Sequence, residues 1–116
     1  MTDKSKWFVY KLDDGAVFGC FRIKPYNNPE CVAALRDLAV KKSIFKMSEF
    51  KFAQEYLKII AKHVIQDWEN IELLKLTGKS KGETPYSPEN AYSMMIGGSI
   101  GFQIAAWVIE KANKIS

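Results

Sequence analysis

The chain predicts an α+β domain: an N-terminal β-hairpin packed against about four helices, and helical over most of its length. Three observations carry this. Two β-prone runs, Lys6 to Leu12 and Ala16 to Lys24, are separated by Asp13-Asp14-Gly15, a turn whose glycine accepts positive φ. A capping residue precedes Pro-Glu twice, in Asn28-Pro29-Glu30 and Ser87-Pro88-Glu89. Two longer stretches, opening at Ser48 and near Ser99, repeat apolar residues at steps of three and four.

The first run holds Trp7, Phe8, Val9 and Tyr10. In the second, Phe18, Cys20 and Arg22 alternate with Val17, Phe21 and Ile23 only imperfectly, so both faces are expected to be partly covered. An isolated hairpin is marginal, and this one must pack on helices or pair with another strand.

At each Pro-Glu start the cap accepts from the orphan amides of the first turn. The proline stands where no donor is needed, and the glutamate meets the positive end of the dipole. The first helix should reach about Lys41, with Val32, Leu35, Leu38 and Ala39 inward and Arg36, Asp37, Lys41 and Lys42 outward. Ser48 opens a helix expected to run to about Trp68, with Phe50, Ala53, Leu57, Ile60, Ala61 and Val64 on one side. Phe52, Tyr56 and Ile59 widen that side to roughly 200°, twice the stripe of an ordinary surface helix. Between Glu69 and Thr84, Ile71, Leu73, Leu74 and Leu76 suit a short strand or helical extension, followed by a basic glycine loop. The Ser87-capped helix should end near Gly97-Gly98. The last, from about Ser99 to Asn113, also has an apolar sector exceeding ~200°.

At 116 residues, 47% of them apolar, residues 1–116 suit a single folded domain. The charge of +4, from 17 basic and 13 acidic residues, is a mild excess, and only Arg22 and Arg36 are arginines. Nucleic acid is therefore not expected as a partner, although a small basic nucleic-acid-binding or regulatory protein stands as the alternative reading. Cys20 and Cys31 lack metal-ligand spacing and read as reduced thiols. The first residues carry no apolar signal core, so secretion is not expected. Ala91 to Ile109 is free of charge and contains the Gly97/Gly101 pair. Its glycines and polar residues nevertheless read better as two short helices than as a membrane span.

No catalytic constellation competes. His63, the single histidine, lies one helical turn from Asp67 on the expected helix, but no serine or cysteine is placed to complete a triad. Gly78-Lys79-Ser80 lacks the earlier glycine of a phosphate loop, because Leu73 stands there. Lys75, Lys79 and Lys81 read as a solvated basic loop. No enzyme activity, cofactor or metal is expected. The positive signal is apolar excess, which marks association surfaces. Trp7, Phe52, Ile59, Met94, Met95, Phe102, Trp107 and Ile109 are the candidate partner or oligomer contacts.

The block Asp67-Trp68-x-x-Ile71, a lysine- and glycine-rich loop, then Pro85-Tyr86-Ser87-Pro88-Glu89-Asn90-Ala91 resembles the signature of the phage tail assembly chaperones. The layout before it follows the same order, although the loop is longer and more basic than that family's short acidic turn. The resemblance implies a small, non-enzymatic protein of a phage or prophage, working in the host cytoplasm and absent from the mature virion. It would coat the tape measure protein, recruit the tail tube protein and associate with further copies of itself. Trp68, Pro85, Tyr86, Ser87, Pro88, Glu89 and Asn90 are the family positions, with a structural role implied.

Overall fold

The computed structural model describes residues 4–69, 71 and 84–116. Strands β1 (Lys6–Lys11) and β2 (Val17–Ile23) come first, then α1 (Pro29–Ile44), α2 (Glu49–His63), β3 (Ile65–Glu69), α3 (Pro88–Met95) and α4 (Ser99–Lys114). This is the expected α+β, mostly helical architecture, with four helices among the described residues. The basic loop around Lys75, Lys79 and Lys81 lies outside the described residues.

The hairpin closes as its turn chemistry dictates. Gly15 takes φ 87°, and the amide of Ala16 donates to Asp14 Oδ1 at 2.9 Å. Beyond the turn, Tyr10 pairs with Gly19 but Lys11 pairs with Val17, so Phe18 is an extra residue on β2. That bulge explains the imperfect alternation of the second run.

A third strand completes the sheet, in the order β1-β2-β3, all antiparallel. It corrects the expected long helix, because α2 stops at His63 and residues 65–69 pair with β2. The cause is a second bulge. Arg22 faces Asp67 while Ile23 faces Ile65, leaving Gln66 as the extra residue on β3. Ile65 and Trp68 thereby share the buried face three residues apart, the same spacing a helix would give. The strand supplies what an isolated hairpin lacks, a second partner for β2.

The helices start where their caps predict. Asn28 Oδ1 accepts from the Cys31 amide at 3.0 Å, and its Nδ2 donates to the carbonyls of Pro25 and His63 at 2.8 and 2.9 Å. One side chain thus caps α1 and ties it to the end of α2. Ser48 Oγ accepts from Lys51 N at 3.1 Å to start α2. α1 extends to Ile44, with Cys31 and Leu38 buried; Ala39, expected inward, is exposed.

The inner sheet face, α2, α3 and α4 enclose one core around Phe21, Ile23, Ile60, Ile65, Met94 and Ile104. Trp107 of α4 lies across the sheet, its ring edge-on to Tyr10 and Phe21 at 5.0 and 5.8 Å between centroids. α3 and α4 meet at 117°, and Gly101 sits at the closest approach, where a Cβ would strike the Met94 carbonyl oxygen. The glycine pair of the uncharged stretch therefore serves an internal corner. Among the described residues no single helix is long and apolar enough to cross a membrane; the bent pair α3 and α4 passes only jointly, by length and composition. Cys20 and Cys31 are both free thiols, and burial pushes the Cys31 thiol up.

Candidate functional site

The motif residues converge on the far end of α2. Tyr86 places its hydroxyl 2.7 Å from the Ala61 carbonyl and 2.6 Å from the Ile65 carbonyl, so one O–H is shared between a terminal helix acceptor and the first residue of β3. Burial, then the negative charges of Asp67 and Glu89, hold its phenol up at about 12. Trp68 is buried beneath it, edge-on at 5.5 Å, and Trp68 Nε1 donates to the Thr84 carbonyl at 2.8 Å. Thr84 N in turn donates to the Ile71 carbonyl at 2.6 Å, fixing the two described ends of the intervening loop.

The rest of the block is a cap. Ser87 Oγ accepts from Asn90 N at 3.0 Å, and Asn90 Nδ2 donates to the Pro85 carbonyl at 3.0 Å. Pro88 occupies the first turn of α3, with Glu89 behind it. All of these bonds run within the chain. The motif clasps α2, β3 and α3 together and presents no convergent set of reactive groups.

The other chemical candidates are separated. His63 ends α2 while Asp67 projects from β3 and accepts from the Trp68 amide at 2.8 Å, so the expected one-turn relation is lost. Partial burial, then Lys62 and Lys24, push the imidazole below its ordinary value. Among the described residues no group of His, Cys, Asp and Glu is arranged to hold a metal ion, and no charged or polar residue is fully buried.

Two of the expected partner contacts belong to the core. Met94 and Met95 are 1% and 0% exposed, because the corner with α4 folds over them. Trp107 and Ile109 are half-buried against the core, and Phe52 stacks on Tyr56 at 6.4 Å with Lys42 Nζ over its ring. Trp7 is exposed on the outer sheet face, opposite Arg22, and Phe102 is exposed on α4. Ile59 is half-buried and lines a groove between α1 and α2.

Among the described residues the most exposed large apolar side chains lie elsewhere, around the turn joining α1 to α2. Phe45 is 73% and Phe50 74% exposed, Ile44 66% and Val40 50%. Phe50, expected inward, stands in the first turn of α2, at the end away from β3. Lys41, Lys42, Lys46 and Lys51 stand near these side chains in the sequence, and Lys42 and Lys51 are bridged to Glu49 and Glu55 at 2.7 and 2.9 Å. The adjoining groove, about 390 Å³, has Ala34, Leu38, Met47 and Ile59 as its floor and Asp37, Lys41, Lys51 and Glu55 at its rim. The sequence carried one sign of this surface. Ile44-Phe45-Lys46-Met47 places apolar residues between a lysine-ended helix and a serine cap, where a linker is ordinarily polar.

Comparison with curated proteins gives no match, and comparison with solved structures gives none either. A family model described as "YdaY prophage protein" matches residues 25–116, which take in every element from α1 to α4, the clasp and the apolar turn. The chain therefore belongs to the YdaY prophage protein family.

Proposed function

We propose that this prophage protein is a non-enzymatic tail assembly chaperone that holds a helical segment of the tape measure protein at the α1–α2 turn and helps recruit tail tube subunits. One observation carries the reading: Phe45 and Phe50 stand uncovered beside a groove with an apolar floor and a charged rim. Such a groove suits the apolar face of an amphipathic helix, with Met47 able to adapt to different side chains. Burying each phenylalanine against a client would contribute about 1.5–3 kcal/mol. The lysines at the turn favour a client acidic beside its apolar stripe. The motif from Trp68 to Asn90 supports the same reading through its resemblance to tail assembly chaperones, and the prophage family is consistent with it.

The test is association of the purified full chain with the tape measure protein of the same prophage. Co-elution at micromolar concentration, with tail tube protein joining the complex, is the expected result. Two folded, soluble proteins that elute separately would overturn the assignment. Retention on heparin with a steep salt dependence would favour the nucleic-acid alternative instead.

A further inference from the structure

We infer that the open edge of β1 takes up an extended segment of another protein as a further strand of the sheet, seated in the trough between β1 and α4. The sheet has two edges, and they differ. β3 is short, is bent by the bulge at Gln66 and exposes Asp67 and Glu69, the devices by which edge strands escape pairing. β1 has neither a proline nor a bulge of its own, and between Lys6 and Lys11 it consists of Trp7-Phe8-Val9-Tyr10. Among the described residues no strand lies beyond it. The direction of its backbone follows from the turn. Leu12 N donates to the Ala16 carbonyl at 2.8 Å, so alternation turns the amides and carbonyls of Tyr10 and Phe8 towards β2. Those of Lys11, Val9 and Trp7 face the open side.

Side chains supply the rest of the site. Phe8 and Tyr10 meet α4, where Trp107 stands edge-on to both at 6.3 and 5.0 Å and Lys111 Nζ lies over the Phe8 ring at 5.8 Å. Towards the turn the two elements open into a pocket of about 300 Å³, lined by Tyr10, Leu12, Ile100 and Gln103 together with Asp13 and Asp14. α4 therefore passes β1 in the opposite sense. A strand added to β1 would bond to its open amides and carbonyls and send alternate side chains into the pocket and along Trp107, which is how edge strands read peptides. Charge selects the occupant. Asp13 and Asp14 stand at the turn end, and Lys6 and Lys111 at the other. The incoming strand is accordingly basic at the turn end, apolar at alternate residues and acidic at the far end. Running antiparallel to β1, the more stable pairing, it carries its basic residues first. A second copy of β1 fits poorly, since it has a lysine at each end and would bring one against Lys6 and Lys111. Both hairpin strands precede residues 25–116, which the family model matches, and this edge shares no residue with the α1–α2 groove. The inference is therefore independent of the tail reading.

Amide NMR of the full chain, titrated with the peptide Ac-KKITITIEE-NH2, reads this directly. Saturable binding with a dissociation constant below about 1 mM is expected, with the shifts centred on β1, Ile100 and Trp107. N-methylation of both threonines, whose amides would bond to Trp7 and Val9, should abolish binding. N-methylation of two isoleucines, whose amides point away from β1, should leave it within about threefold. Glutamates in place of the two lysines should weaken binding at least about fivefold. Val9→Pro removes an open amide and spares the β1–β2 ladder, so the folded variant should lose the peptide while Val9→Thr binds as the wild type does. Absence of saturable binding, binding of the threonine-methylated peptide, binding by a folded Val9→Pro chain, or indifference to the lysine replacement would each overturn the proposal. So would a wild-type dimer that Val9→Pro converts to a monomer, since the edge would then belong to a second copy.

Discussion

The two ends of α2 are built on opposite principles. At the His63 end, backbone acceptors are answered by named donors: Tyr86 serves Ala61 and Ile65, and Asn28 serves His63 itself. Apolar side chains there, Ile60, Ala61 and Val64, are fully buried. At the Glu49 end, Ser48 completes the cap, yet Phe50 and the neighbouring Phe45 remain in solvent. Directional bonds and close packing hold the fold at one end, while apolar surface is left over at the other. Substitutions at the clasp should therefore cost stability, and substitutions at the turn should cost association.

The largest expected effect is Trp68→Ala. It empties a buried indole site, removes the bond to Thr84 and strips the edge contact with Tyr86, so a loss of about 3–5 kcal/mol is expected in urea unfolding. Tyr86→Phe keeps the ring and deletes only the hydroxyl, leaving two carbonyls short of a donor, for about 1–3 kcal/mol. It should also change the alkaline limb. The folded phenol titrates at about 12 against an ordinary 10.0, so its contribution is complete below 10.0 and lost as pH rises from there through the folded value. Unfolding scans at high pH should show a shallower decline in the variant.

A smaller effect lies in the acid limb. His63 is held below its ordinary 6.5, so the unfolded chain takes up that proton first and stability falls as pH drops from 6.5 towards the folded value. Glu55, lowered chiefly by its hydrogen bond from Lys51, adds a loss below 4.5. His63→Gln should flatten the first of these declines and leave the second, as urea midpoints across pH would show.

Much of this contrast could be read before any coordinates. The hairpin turn and the caps at Asn28, Ser48 and Ser87 follow from residue chemistry that acts locally, whereas a structural role for the Trp68 to Asn90 block came from the resemblance. The end of α2 did not follow, because a single bulge at Gln66 gives a strand the three-residue apolar spacing of a helix. Met94 and Met95 resemble interface residues by type. Only the corner at Gly101, a matter of tertiary approach, places them inside. Phe50 misled in the other direction. Helical periodicity identifies the side of a helix on which a residue stands, but not whether a neighbour reaches that far along it.

The smallest stability effect is expected where the binding effect is greatest, at the apolar turn. Phe45→Ser with Phe50→Ser should change the urea midpoint by no more than about 0.5 kcal/mol equivalent, since both rings are already in water. The most direct measurement is binding of this double variant to the tape measure protein, titrated beside the wild type with unfolding followed on the same samples. The expected result is unchanged stability and affinity weakened by at least about tenfold. Undiminished affinity in a folded double variant would contradict the assignment of this turn as the gripping surface.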